Sequence, residues 1–149
     1  MLPNKKNTGF TDMHIYNLKM KFYRTPRIRY GACDADARAL ASLANGTSRT
    51  RAKNGRSYWY LFIKDVQNRD LVRFLLRRNG VIPEYHISSY YGMPQPAFRV
   101  RVADLGKHSN LDEFTRSIDR SHQEDDKTAP DTLRYIDEIK TRLAASKQK

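Results

Sequence analysis

The residues of this chain that could do chemistry are mostly cations interleaved with aromatic rings. Lys19, Lys21 and Tyr23 alternate along one stretch, Arg99 and Arg101 along another, and Arg49, Arg51, Lys53 and Arg56 crowd a third. Ammonium and guanidinium groups spaced in this way neutralise phosphates and release condensed counterions, which makes binding strong and steeply salt-dependent. Exposed rings offer a flat surface on which unstacked bases can lie, worth about 1–3 kcal/mol each. Tyr23, Tyr58 and Tyr90 are the candidate rings. A duplex hides its base faces, so the mixture points to RNA or single-stranded DNA ahead of duplex DNA.

Other chemistries have thinner support. Asp65, Glu84 and His86 form a loose acidic set of the type that holds a divalent metal for phosphodiester cleavage, and Asp34 with Asp36 is a second pair. Such sites usually add a lysine, whereas Glu84-Tyr85-His86 carries a histidine in its place. The four histidines are scattered and Cys33 is the single cysteine, so no zinc-binding spacing exists. None of the seven glycines falls into a phosphate-cradling GxGxxG or GxxxxGK[ST] pattern. No catalytic residue, metal or cofactor is therefore assigned, and a metal-dependent nuclease stands third among the readings.

The charge is unevenly placed. The 149 residues hold 28 Lys+Arg against 16 Asp+Glu, a net of +12. Residues 1–107 hold 20 cations against 7 anions, and residues 108–149 hold 8 against 9. Concentrated charge raises the local potential and draws in polyanions. An acidic protein surface can imitate a phosphate backbone, so the second reading is a protein-interaction module, a small inhibitor or assembly factor gripping such a surface.

One cysteine excludes an intramolecular disulfide and suits a reducing, intracellular, cytoplasmic setting. The first ten residues are mostly polar, with Lys5 and Lys6, and do not read as a secretory signal. The longest apolar run, Tyr58 to Ile63, falls far short of the ~20 residues that span a bilayer.

These side chains need elements to hold them. Residues 1–12 read as a flexible arm. His14 to Arg24 alternates with period two, a half-exposed strand that Thr25-Pro26 ends. Asp34 to Asn45 reads as a helix capped by Asp34 or Asp36 and closed by Gly46. Thr47 to Arg56 reads as a basic loop, and Tyr58 to Ile63 as a central strand. A helix from Asn68 to Asn79, closed by Gly80, shows Arg69, Arg73 and Arg77 along its outer side. Glu84–Tyr91 and Ala97–Val102 pair as a hairpin around Gly92 to Pro96.

The resulting order, β-α-β-α-β-β, predicts an α+β two-layer sandwich: a four-stranded sheet with two helices on one face and a basic open face. Beyond this basic α/β domain of residues 13–107, residues 108–149 form a helical C-terminal extension. Its stripe of Leu133, Ile136, Ile139 and Leu143 either packs in cis or docks onto a partner.

Arg56-Ser-Tyr-Trp-Tyr-Leu-Phe-Ile63 resembles, over eight residues, the aromatic strand of RNA-recognition motifs, with a leading cation and alternating rings at Tyr58 and Tyr60. Ser57 replaces the glycine of that strand, Trp59 a small residue and Ile63 an aromatic, and the element order differs, so the family is not assigned. The leading expectation is a non-enzymatic nucleic-acid-binding protein. Lys19, Lys21, Arg99 and Arg101 would position the backbone, Tyr23, Tyr58 and Tyr90 would stack bases, and the Arg49–Arg56 loop would close over the strand. Engaging four to six phosphates would give a log–log salt slope of roughly −3 to −4 on a single strand.

Overall fold

The computed structural model describes residues 26–90 and 92–147. The first strand and flexible arm expected from the sequence lie outside this range, as do Lys19, Lys21 and Tyr23. Helix α1 runs Pro26–Leu43. Proline suits a first helical turn, where its missing N–H would have had no partner. The helix therefore begins well before Asp34, and Asp36 sits in its interior rather than at its cap. Gly46 does not close it, because strand β1 (Ala44–Arg51) follows at once, with a register irregularity between Ala44 and Gly46.

The expected basic loop is thus mostly strand. β1 pairs antiparallel with β2 (Ser57–Ile63), and a tight turn over residues 52–56 joins them. Ala52 N–H donates to Arg56 O, the Asn54 side chain accepts from Arg56 N–H, and Gly55 takes the positive φ of 83° that the turn requires. After β2, Asp65 caps a short 3-10 turn, Val66–Asn68, by accepting from Gln67 N–H. Helix α2 (Arg69–Arg78) follows and ends near Gly80, whose φ is 92°.

Strands β3 (Glu84–Tyr90) and β4 (Met93–Arg101) form the second hairpin. Its connection is shorter than expected, because Pro94 and Pro96 lie within β4 opposite Ser89 and Ile87. Every second residue of an antiparallel strand turns its nitrogen away from a given neighbour. The prolines occupy such positions, on the side where pairing with β2 starts only at Ala97. Among the described residues the element order opens α-β-β-α-β-β, and the four strands form one antiparallel sheet, β1-β2-β4-β3.

The α+β class and the four-stranded sheet with helices packed on it are as expected; the described order opens with a helix rather than the expected β-α-β-α-β-β, whose first strand lies outside the described residues. A single hydrophobic cluster joins α1 (Leu40, Leu43), α2 (Leu71, Leu75) and the inward row of β2 and β4 (Trp59, Leu61, Phe98, Val100). The C-terminal helices α4 (Ser109–His122) and α5 (Pro130–Lys147), reached through the short helix α3 (Val102–Leu105), join the same cluster. Ile136, Ile139 and Leu143 of the α5 stripe are buried there, while Leu133 is exposed.

Two polar nodes tie helices to sheet and to one another. Asp36 (0% exposed) accepts two hydrogen bonds from Arg78 (2% exposed) at 2.8 and 2.7 Å, one from Asn79 at 2.7 Å and one from the Tyr135 hydroxyl. Asp119 on α4 accepts from the Trp59 indole at 2.9 Å, Thr47 at 2.7 Å and Arg49 at 3.3 Å. Buried charges are tolerated when geometry and hydrogen bonding are this complete.

Candidate nucleic-acid interface

Antiparallel register decides which side chains share the face turned away from the described helices. Residues directly opposite one another point the same way. The row Thr50–Tyr58–Arg101 crosses β1, β2 and β4, the row Ser48–Tyr60–Arg99–Glu84 crosses all four strands, and Gly46–Phe62–Ala97–His86 lies beside it. Tyr58, Tyr60 and Ala97 form a small cluster of their own there, with Phe62 packed against it. Tyr60 and Phe62 stack at 5.7 Å with their planes 6° apart, and His86 lies 6.2 Å from Tyr60.

Arg99 is the centre of this face. Its guanidinium sits 4.3 Å above the Tyr58 ring and donates to Glu84 at 2.9 Å. Arg99 holds the Glu84 carboxyl below the usual carboxylate range by that hydrogen bond and by its charge, and Glu84 in turn raises the Arg99 pKa. The Tyr58 hydroxyl is also lowered, first by the hydrogen bond from Asn54 and then by the nearby Arg99 and Arg56. Arg101 lies 3.7 Å from Asp104.

Arg56, Tyr58, Arg99 and Arg101 together line a groove of about 410 Å³, with Pro83, Glu84 and Asp104 on its other walls. Tyr58 and Tyr60 are only 5% and 8% exposed, so their rings are covered as they stand, whereas Phe62 and His86 are half-buried.

Other sequence candidates are placed elsewhere. Arg49 pairs with Trp59 in register and so faces the helices, where Thr115, Asp119 and Asp112 surround its guanidinium. Arg51 shares that orientation at the exposed end of β1, and Lys53 is exposed in the turn. Tyr90 closes β3, and its side chain lies outside the described residues. Arg69 and Arg73 of the helix stripe lie over Tyr85 and Phe98, at 5.3 and 5.4 Å, rather than pointing wholly into water.

The acids weighed for metal binding are separately occupied: Asp36 by Arg78, Asp65 by its turn and Glu84 by Arg99. Among the described residues no group of three His, Cys, Asp or Glu is placed to hold a metal.

Phe62 and His86 were not singled out as ring partners from sequence, although period two places both on the face of Tyr58 and Tyr60 once the strands pair. Among the described residues no helix is long and apolar enough to cross a membrane. Comparisons with protein families, curated proteins and solved structures find no match for this chain.

Proposed function

We propose that this protein binds single-stranded nucleic acid, RNA or DNA, on the open side of its sheet, without acting on it chemically. The observation that carries this reading is the convergence of Arg56, Arg99 and Arg101 on one groove beside Tyr58, on the side where no helix among the described residues joins the core cluster. Three guanidiniums in a concave site suit successive phosphates, since each offers a planar fork to the anionic oxygens.

Phe62 and His86 supply the accessible ring surface one row further along the sheet. A base that stacks on Tyr58 itself must first draw Arg99 away, and a phosphate competing with Glu84 for that guanidinium favours the move. A single-cysteine chain suits a reducing cytoplasmic setting for this activity.

The test is the anisotropy of a labelled single-stranded oligonucleotide titrated with protein at several salt concentrations. With three phosphates engaged by the groove, the log–log slope should be about −2. A steeper slope would bring in further cations, Lys19 and Lys21 among the candidates. Absence of binding at low salt, or displacement by a polyglutamate peptide as readily as by unlabelled oligonucleotide, overturns the reading in favour of an acidic protein partner.

A further inference from the structure

The sheet has two edges, and they differ. β1 carries arginines at its far end, polar residues along its length and a register irregularity at Ala44/Gly46, all of which discourage another strand from adding to it. β3 is also largely polar, but it lacks the arginines, and its pairing with β4 runs without a register shift. Its sequence, Glu-Tyr-His-Ile-Ser-Ser-Tyr, contains no lysine, arginine or proline, and among the described residues no strand pairs with its outer side. Among the described residues five large apolar side chains are exposed; Ile87 (58%) lies on β3, Ile82 (61%) just before it, and Met93 (66%) at the start of β4 opposite Tyr90.

We propose that β3 pairs antiparallel with β3 of a second copy of this chain, about a two-fold axis through Ile87. The hydrogen-bond phase permits this register. Pro94 and Pro96, which have no N–H to donate, lie opposite Ser89 and Ile87, so the bonded pairs with β4 are those of the even-numbered residues of β3. Tyr85, Ile87 and Ser89 then direct their N–H and C=O groups outward, and an axis at Ile87 joins outward groups to outward groups.

The residue types also complement themselves. Ile87 meets Ile87, Tyr85 lies opposite Ser89, His86 opposite Ser88 and Glu84 opposite Tyr90, so no like charges oppose one another despite the +12 charge of each chain. Residue 82 comes opposite residue 92, which brings exposed Ile82 beside exposed Met93. The same pairing continues the open face into one eight-stranded surface. A strand rise of ~3.4 Å and a spacing of ~4.8 Å put the two Arg99 Cα atoms roughly 25 Å apart on it.

The test is the solution mass of the purified chain by light scattering, with no nucleic acid present, so a failure here leaves the groove reading standing. The wild type should run at twice the 17.4 kDa chain mass, and Ile87→Lys, with unchanged far-ultraviolet circular dichroism, at the chain mass itself. In a Cys33→Ala background, Ile87→Cys should form a disulfide dimer on mild oxidation, because a bonded antiparallel pair brings its Cα atoms to about 5.5 Å. Ser88→Cys should not, since its Cα atoms would stand roughly 8 Å apart. A monomeric wild type overturns the proposal, even one whose β3 edge takes up an unrelated extended peptide. So does a dimer that survives Ile87→Lys, or cross-linking at residue 88 as fast as at residue 87.

Discussion

On the inner side of the sheet, arginine meets carboxylate: Arg78 with Asp36 fully buried, and Arg49 with Asp119 and Asp112 half-buried. On the outer side, Arg56, Arg99 and Arg101 surround a groove in which Glu84 and Asp104 provide partial counter-charge. The same residue type thus does two jobs. Inner arginines fix helices to one another and to the sheet, and their charge is spent. Of the outer arginines, Arg99 is tied to a mostly exposed Glu84 and Arg101 lies a looser 3.7 Å from Asp104, so an incoming anion has weaker pairs to displace there.

The nearly neutral C-terminal segment takes part in this division, because its Asp112 and Asp119 are the anions that hold Arg49. A segment's net charge therefore overstates what a ligand meets.

Breaking the buried node should have the largest effect. Asp36→Ala leaves the Arg78 guanidinium buried among α1, α2 and α5 without its carboxylate, and a buried pair that loses one partner typically costs about 3–5 kcal/mol. Urea denaturation followed by circular dichroism measures it. A loss too small to resolve would mean that the two sides do not differ as described.

Next comes Asp119→Ala, which leaves the indole N–H of the chain's single tryptophan without its acceptor and should cost about 1–3 kcal/mol. Trp59 fluorescence gives both the unfolding midpoint and the change in indole environment.

A matched pair of substitutions then sets the sides directly against each other. Arg49→Ala should lower stability by about 1 kcal/mol and leave oligonucleotide affinity unchanged. Arg99→Ala should leave the denaturation midpoint nearly unmoved and flatten the salt slope by about 0.7. Exchange of these outcomes between the two variants would reverse the assignment of sides.

The smallest effect belongs to Glu84→Gln. Freeing Arg99 from a mostly exposed carboxylate should tighten oligonucleotide binding by about twofold to fivefold at neutral pH. The linkage has a definite sign. Because Arg99 lowers the Glu84 pKa in the folded chain, the pair stabilises the fold above the ordinary carboxylate range and fades as pH falls through the depressed value. The glutamine variant should lack that portion of the acid dependence.

Much of this architecture was legible from periodicity. Strands β2 and β3, the helix-facing residues of β4, and helices α2, α4 and α5 all lie close to where apolar spacing puts them. β1 was not legible, because its inward positions are Thr47 and Arg49, satisfied by side chains of α4 far along the chain rather than by burial of hydrocarbon. Polar residues beside Asn54-Gly55 therefore look like loop.

The start of α1 was missed although Pro26 carries the signal, a proline where a first helical turn can use it. The Asp36–Arg78 pair also left a trace. Asp36 falls on the apolar stripe with Leu40 and Leu43, and Arg78 on the stripe with Leu71 and Leu75. Opposite charges alone on two buried stripes invite pairing. At the site, Arg99 and Arg101 could be placed by alternation, but the inward turn of Arg49 depends on a register that composition does not reveal.

Ligand should contact the outer side of the sheet and not the inner arginines. Titrating a short single-stranded oligonucleotide into isotopically labelled protein and following amide and arginine side-chain resonances by NMR tests it residue by residue. Shifts concentrated at Arg56, Tyr58, Phe62, His86, Arg99 and Arg101, with Arg49 and Arg78 unmoved, are the predicted result. Shifts centred on α2 or α5, with the outer face silent, would contradict it.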